Sequence, residues 1–427
     1  MLKNTTETIR EAVSAFWKTH AIWRIVGVVL LVFWAAVWAV SARKNHLVIG
    51  PYTYVPSPPS LGCDFDINYY AARFRSAGGD PYQGFFKGPD CFWFYDHPPL
   101  VLALFAWCNL LPHSMALILW LFVQTAVFSL AVFLCWRSRK ELGLCPIPLP
   151  LLLAAALFSY PVLCEMQQGN WNMLVLLFLI LTVWSLHGRS LWHDVSAGAF
   201  AGIAAWIKIY PALLLLGLLA LRRWRAACCF GIAVLSIGLA DVPQALEFTA
   251  NIKETAKQTP DFFGSFLPWS HTVSGSWALF CRSIHFQWLG RLPGTIGWGL
   301  LVFPLVLGVS FWVATVADPS RLLYPYFLWL TASATYLPPV ANDYSLFFLP
   351  LAALTVWDRR DKALVHVLMA VLLLWWQPIW MLISAKFLWY CKLISLGSVG
   401  LVLLLRAGEQ NGEAEAEDEH SRRWVVA

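Results

Sequence analysis

The sequence predicts an all-α polytopic membrane protein, a bundle of about 12 transmembrane helices with a long first extracytoplasmic loop. Three observations lead there. Hydrophobic residues make up 59% of the chain and charged residues 13%, against roughly 25% charged in soluble domains. Mean hydropathy is +0.62. The apolar runs are rich in Leu, Ala, Val and Trp and approach the twenty or so residues that cross a bilayer, without the alternating ten-residue segments of a barrel.

Charge orients the bundle. The net charge is +6, but the stretch 407–427 sets six acids against Arg422 and Arg423, so that it carries −4 and the body +10. The basic excess is expected in cytoplasmic loops, not on a nucleic-acid surface. The acidic stretch 407–427 is expected to be a disordered cytoplasmic tail. Residues 1–24 hold Lys3, Arg10, Lys18 and Arg24 without a cleavage signature. They read as a cytoplasmic segment leading into an uncleaved anchor.

The transmembrane domain then covers 25–406. A first span, Ile25 to Val40, places 42–99 outside. Leu100 to Leu111 is too short to cross and is expected to be interfacial or re-entrant. Met115 to Trp136 delivers Arg137, Arg139 and Lys140 to the cytoplasm, and Leu149 to Leu163 returns, leaving Glu165 to Asn172 outside. From Asp194 to Leu221 the chain is apolar apart from Lys208, which stands beside Tyr210-Pro211. Two half-length passes hinged near Lys208 keep Arg222, Arg223 and Arg225 inside, and such broken helices are tolerated where they line a polar cavity. A span ending at Asp241 opens a second large outer loop, 242–286. Further spans are expected near 298–316, 324–337, 346–357, 364–381 and 388–405. The 25 tryptophans need no role beyond interfacial belts and packing.

The polar residues left unexplained by the charge rule gather on the outer face. Asp64 and Asp66 are candidate catalytic groups, since a carboxylate held at the membrane surface can take a proton from a sugar hydroxyl. The ordinary alternative is a solvated loop acid, or one paired with Arg73 or Arg75. Lys208 inside an apolar run costs at least about 2.5 to 3.5 kcal/mol at the bilayer centre, which argues for a partner or a ligand such as phosphate; snorkelling to the interface is the other reading. Gln168, Asn170 and Asn172 either cap a helix or contact sugar hydroxyls. Tyr69, Arg73, His97, His271, Asn342 and Asp343 sit at similar depth and complete the expected substrate-binding set. The ten cysteines show no zinc spacing, and no metal or cofactor is expected. Cys63 and Cys91 flank Asp64 and are placed to form a disulfide in an oxidising compartment.

Asp64-Phe65, Tyr69-Tyr70-Ala71-Ala72, Gly78-Gly79-Asp80-Pro81-Tyr82 and Pro98-Pro99-Leu100 together resemble the first extracytoplasmic loop of a bacterial GT-C family. It includes the polyprenol-phosphate-mannose-dependent alpha-(1,2)-mannosyltransferases of phosphatidylinositol mannoside synthesis. The similarity continues through Gln168 to Asn172, Ala197-Gly198 to Pro211, Arg222 to Arg225 and Pro338 to Tyr344. The chain departs from the family where Gly-Gln-x-Asn is usual, and by Asn342-Asp343 where a histidine is common. The resemblance implies a GT-C-like fold in a bacterial inner membrane with its active site outside. It also implies a metal-independent inverting transfer from a polyprenyl-phosphate sugar to a lipid-linked or glycan acceptor, with Asp64 as general base and fixed cations stabilising the leaving phosphate. A transporter or lipid or polysaccharide flippase is the rival class. It predicts charged groups near mid-membrane in both halves of the chain. A non-catalytic assembly subunit is the third reading.

Overall fold

The computed structural model describes residues 21–22, 24–40, 62–83, 85–87, 92–95, 97–144, 147–251, 294–316, 319–336, 343–357 and 385–426. These fold as helices apart from one hairpin of two three-residue strands, β1 (Phe85–Lys87) and β2 (Phe92–Phe94), paired antiparallel with Phe86 opposite Trp93. The first helix, α1, is Arg24–Val40. The predicted first loop contains a helix of its own, α2 (Cys63–Ser76). Then come α3 (Pro99–Phe105), a 3-10 turn over Ala106–Leu110, and the long α4 (His113–Glu141). The piece expected to be too short to cross is indeed a short helix that tightens into a 3-10 turn.

Prolines start several elements, as their fixed φ and missing N–H allow. Pro148 precedes α5 (Leu149–Leu157), and Pro161 stands in the first turn of α6 (Tyr160–Gln168). Those two helices meet at a bend of 61°, so the single return span expected over Leu149 to Leu163 is broken, and Glu165 lies on α6, not in an outer loop. After α7 (Asn172–Leu186) and α8 (Leu191–Ile207), Lys208 is extended, with φ −141° and ψ 145°. A 3-10 turn (Tyr210–Leu213) and α9 (Leu214–Ala220) follow. The hinge at Lys208 is therefore present, although α8 at 17 residues is longer than a half pass.

α10 (Trp224–Ala240) ends at Asp241, where the chain bends by 98° into α11 (Val242–Asn251). α12 (Gly294–Ala314) contains Pro304, α13 is Leu323–Ala334, and a 3-10 turn (Asp343–Phe347) leads into α14 (Phe348–Val356). The last helix, α15, runs from Ala385 to Val426. It carries helix through the stretch where the sequence reading expects a disordered tail; Ala and Glu from Glu413 to Glu419 are good helix formers, which outweighs the local charge density.

By length and composition two helices can cross a membrane, α4 and the part of α15 over Lys392–Gly412. The bent pairs α5–α6 and α10–α11 raise this to four, and six shorter apolar helices accompany them. The expected count of about twelve is thus not reached among the described residues. Pro, Gly and Lys208 cut the apolar runs into short helices, and the expected span 364–381 lies outside the described residues. The chain is a membrane protein, and its outer surface reads accordingly. Phe122 is 69% exposed and Phe311 70%, a burden in water but not against lipid tails.

Packing inside relies on close helix approach. Gly198 and Gly202, four residues apart on α8, face α10: a Cβ on Gly198 would stand 2.3 Å from the Ala226 carbonyl oxygen, and one on Gly202 2.8 Å from Ala233 Cβ. Small residues at this spacing let two backbones touch in an apolar solvent. Arg139, buried at the end of α4, donates to the carbonyls of Leu354 and Trp357 at 2.7 and 2.5 Å, and Arg406 donates to Val356 at 3.2 Å. Two cations thereby satisfy the otherwise orphaned carbonyls that end α14.

Candidate active site

Two glycines bring α2 against α6. Gly169 ends α6 in the left-handed region (φ 66°), and Gly62 opens α2 at φ 90°. Gly62 N–H donates to the Gln167 carbonyl at 2.8 Å, and the Trp120 indole donates to the Gly169 carbonyl at 2.7 Å. A Cβ on Gly169 would lie 2.8 Å from Phe65 Cβ. Gly169→Ala therefore combines about 1–2 kcal/mol of left-handed strain with about 1–3 kcal/mol of overpacking. A lowered unfolding midpoint in detergent is expected; an unchanged midpoint argues against this close fit.

The contact so enforced places Asp64, in the first turn of α2, beside an amide 106 residues later: Asn170 Nδ2 donates to Asp64 Oδ2 at 2.5 Å. Asn170 Oδ1 accepts from the Asn172 backbone N–H at 3.2 Å. Asn172 Nδ2 in turn donates to Glu165 Oε2 at 2.9 Å and to Ser345 Oγ at 3.2 Å, while Tyr210 O–H donates to Asn172 Oδ1 at 2.9 Å. Gln124 Nε2 holds the Asn170 carbonyl at 2.5 Å. Asn170, Asn172 and Glu165 are all but fully buried, and Glu165 Oε1 meets no hydrogen-bond partner among the described residues. An acid–amide relay thus joins α2, α6, α7, the 3-10 turn after α8 and the one before α14.

Lys208 stands at the edge of this relay, its Nζ 4.6 Å from the centroid of the Trp171 ring. It acts through space on Glu165, as does Asp64. The break after α8 explains the placement: an extended residue ends the helix and turns the side chain toward α6 and α7. His97 meets the same indole edge-on, with centroids 3.9 Å apart. Burial first, and then the Lys208 charge, hold its pKa well below the ordinary value.

His97 is therefore neutral in the folded protein. The unfolded chain takes up a proton below about pH 6.5 and the native one does not, so this contribution to stability is complete above about pH 6.5 and is lost on acidification below it. Unfolding midpoints measured from pH 7.5 down to 5.5 should fall, and His97→Gln should flatten that slope. A slope identical in the variant removes His97 from the account.

Not all predicted residues converge. Asp66 points elsewhere, its Oδ1 2.5 Å from His113 Nε2. Tyr69 is fully buried, donating to the Leu111 carbonyl at 3.1 Å, and the exposed Arg73 donates to the Tyr69 oxygen at 2.8 Å. These two fasten α2 to the 3-10 turn after α3 and stand about one and a half and two and a half turns along α2 from Asp64. Gln168 is half-buried at the last turn of α6. Asp343 begins the 3-10 turn that supplies Ser345, and its side chain lies outside the described residues, as do His271, Asn342, Cys91 and the Cys63 side chain. Sequence reading missed Glu165, Tyr210, Trp171 and Ser345 as site residues. Only Glu165 had a usable signal, being an acid close behind the apolar run of α5. Among the described residues no three His, Cys, Asp or Glu side chains gather as a metal site.

The fold defines a helical membrane protein that brings carboxylates, amides and a cation together at one end of α7. A model of glycosyltransferase family 87 matches residues 93–338, more than half of the chain, and the chain belongs to that family. It is a membrane glycosyltransferase. The comparisons with curated proteins and with solved structures each gave no match.

Proposed function

We propose that the protein moves a hexose, mannose being favoured, from a polyprenyl-phosphate sugar to a lipid-linked or glycan acceptor at the extracytoplasmic face of a bacterial inner membrane, with inversion. Asp64 is the general base. It takes the acceptor O–H proton as the acceptor oxygen bonds to the anomeric carbon, and the bond from that carbon to the phosphate oxygen breaks on the opposite face. Polyprenyl phosphate leaves with the electron pair. Asn170 orients the carboxylate, Asn172 and Glu165 face the sugar hydroxyls, and Lys208 meets the phosphate charge as it develops.

The observation that carries this reading is the 2.5 Å hydrogen bond from Asn170 to Asp64. It favours Asp64 over Asp66, which is engaged by His113, and ties the first-loop acid to the amide run, beside which Lys208 stands. A transport pathway calls for ionisable groups repeated in both halves of the chain, whereas these groups meet at one end of α7. Purified protein incubated with radiolabelled lipid-linked sugars, including polyprenyl-phosphate mannose, should yield an inverted glycoside identified by mass spectrometry. Transfer only from a nucleotide sugar, or retention of configuration, overturns the proposal.

A further inference from the structure

At the far end of α7 and α8 from the acid–amide relay lies a cavity of about 650 Å³. α7 has Asn172 at one end and Leu186 at the other, 15 residues or roughly 22 Å apart. The distance approaches the thickness of a bilayer's apolar core. Three connections converge on the cavity: the α7–α8 turn with His187 and Arg189, the α9–α10 turn with Arg222 and Arg223 and with Arg225 in the first turn of α10 beyond it, and the 3-10 turn Pro319–Leu322 before α13. Among the described residues Asp194 is the one acid in its lining, and it is already met by Arg223 at 3.2 Å.

Three features of this cavity exceed what orientation by charge requires. First, positive residues that merely mark a cytoplasmic loop need no concavity, whereas these line one. Second, Arg222 adopts a left-handed backbone, φ 55°, in the turn that closes α9. A glycine would fill that position with less strain, so a strained arginine argues for its side chain. Third, a narrower cavity of about 200 Å³ adjoins, sharing His187 and Ser320; its walls combine Leu134, Ile180, Val183 and Trp184 with Arg321 and with Glu141, which is paired to Arg137 at 2.9 Å. Trp184 is 74% exposed. A guanidinium-lined chamber beside one with an apolar wall suits an amphiphile: arginine forks match phosphate oxygens two at a time, and basic pockets between membrane helices hold lipid headgroups.

We propose that this cavity binds the phosphate headgroup of an anionic lipid in the leaflet opposite the active site, with the start of its hydrocarbon chain along the Trp184 wall. The site is separate from the one that transfers sugar. Free phosphate shares the headgroup chemistry but has no use for the apolar wall.

Native mass spectrometry of the full chain, released from micelles doped with palmitoyl-oleoyl phosphatidic acid or with the matching phosphatidylcholine, tests it. Retention of phosphatidic acid but not phosphatidylcholine is expected. The combined variant Arg189→Gln, Arg222→Asn, Arg225→Gln leaves the Arg223–Asp194 pair intact and should lower that retention at least about tenfold. On the wild-type protein, hydrogen exchange with phosphatidic acid present should slow over 186–194 and 219–226. Equal retention of both lipids, no protection of those segments, or undiminished binding by a monodisperse variant each overturns the proposal. Full displacement of the lipid by millimolar inorganic phosphate overturns the lipid assignment and leaves a site for free phosphate. If the variant does not fold, the wild-type lipid comparison, exchange pattern and phosphate competition decide.

Discussion

Asp64→Asn is expected to lower kcat for sugar transfer by about a hundred- to ten-thousand-fold, the usual contribution of a positioned general base. The substitution is close to isosteric, so packing at Phe65 and the approach of α2 to α6 should survive. What changes is proton affinity, because an amide cannot accept the acceptor hydroxyl proton at neutral pH. The Asn170 contact persists, with the introduced amide offering its oxygen in place of the carboxylate, which keeps the loss chemical and not architectural. Donor affinity and the elution profile are therefore expected to stay near those of the native chain. Turnover close to normal would move the base elsewhere, and Glu165, linked to Asp64 through Asn170 and Asn172, is then the next residue to replace.

Lys208→Met is expected to raise the apparent KM for the lipid-phosphate donor about ten- to a hundredfold, the range for losing one charged hydrogen bond of about 1.5–3 kcal/mol. Methionine keeps the length and apolar character of the stem, so the contact with Trp171 and the break after α8 should remain. Loss of the cation also leaves Glu165 without the positive group that acts on it, and some fall in kcat accompanies the KM effect. Titrating initial rate against donor separates the two. An unchanged donor KM would show that Lys208 serves its neighbours and not the phosphate.

Much of the architecture could be read from local signals. Lys208 beside Tyr210-Pro211 announced an interrupted helix because a charge in an apolar run needs a reason, and the structure breaks at that residue. The end of α10 followed from Asp241 after an apolar run, and the crossing expected over Met115 to Trp136 lies within α4. α2 was not legible: its sequence is polar on average, and it buries Phe65, Tyr69 and Ala72 on one side with Ile67 and Ala71 on another, so no single apolar stripe marks it. Had it been read as helix, the four-residue spacing of Tyr69 and Arg73 would have suggested their mutual contact and removed both from the site. Asp64 and the amides were found because polar groups crowd the same end of several spans. Their pairing, and the choice between Asp64 and Asp66, depend on partners 106 and 47 residues away, and no local pattern encodes contacts at such separation.

The family match begins at residue 93, yet Asp64 and the whole of α2 precede it. A recombinant fragment cut at that boundary would strand Asn170 and the Gln167 carbonyl without the partners that α2 brings them, exposing the apolar faces of Phe105 and Leu117. Such a piece is a core deprived of one wall, and neither sugar transfer nor solubility in detergent should be asked of it.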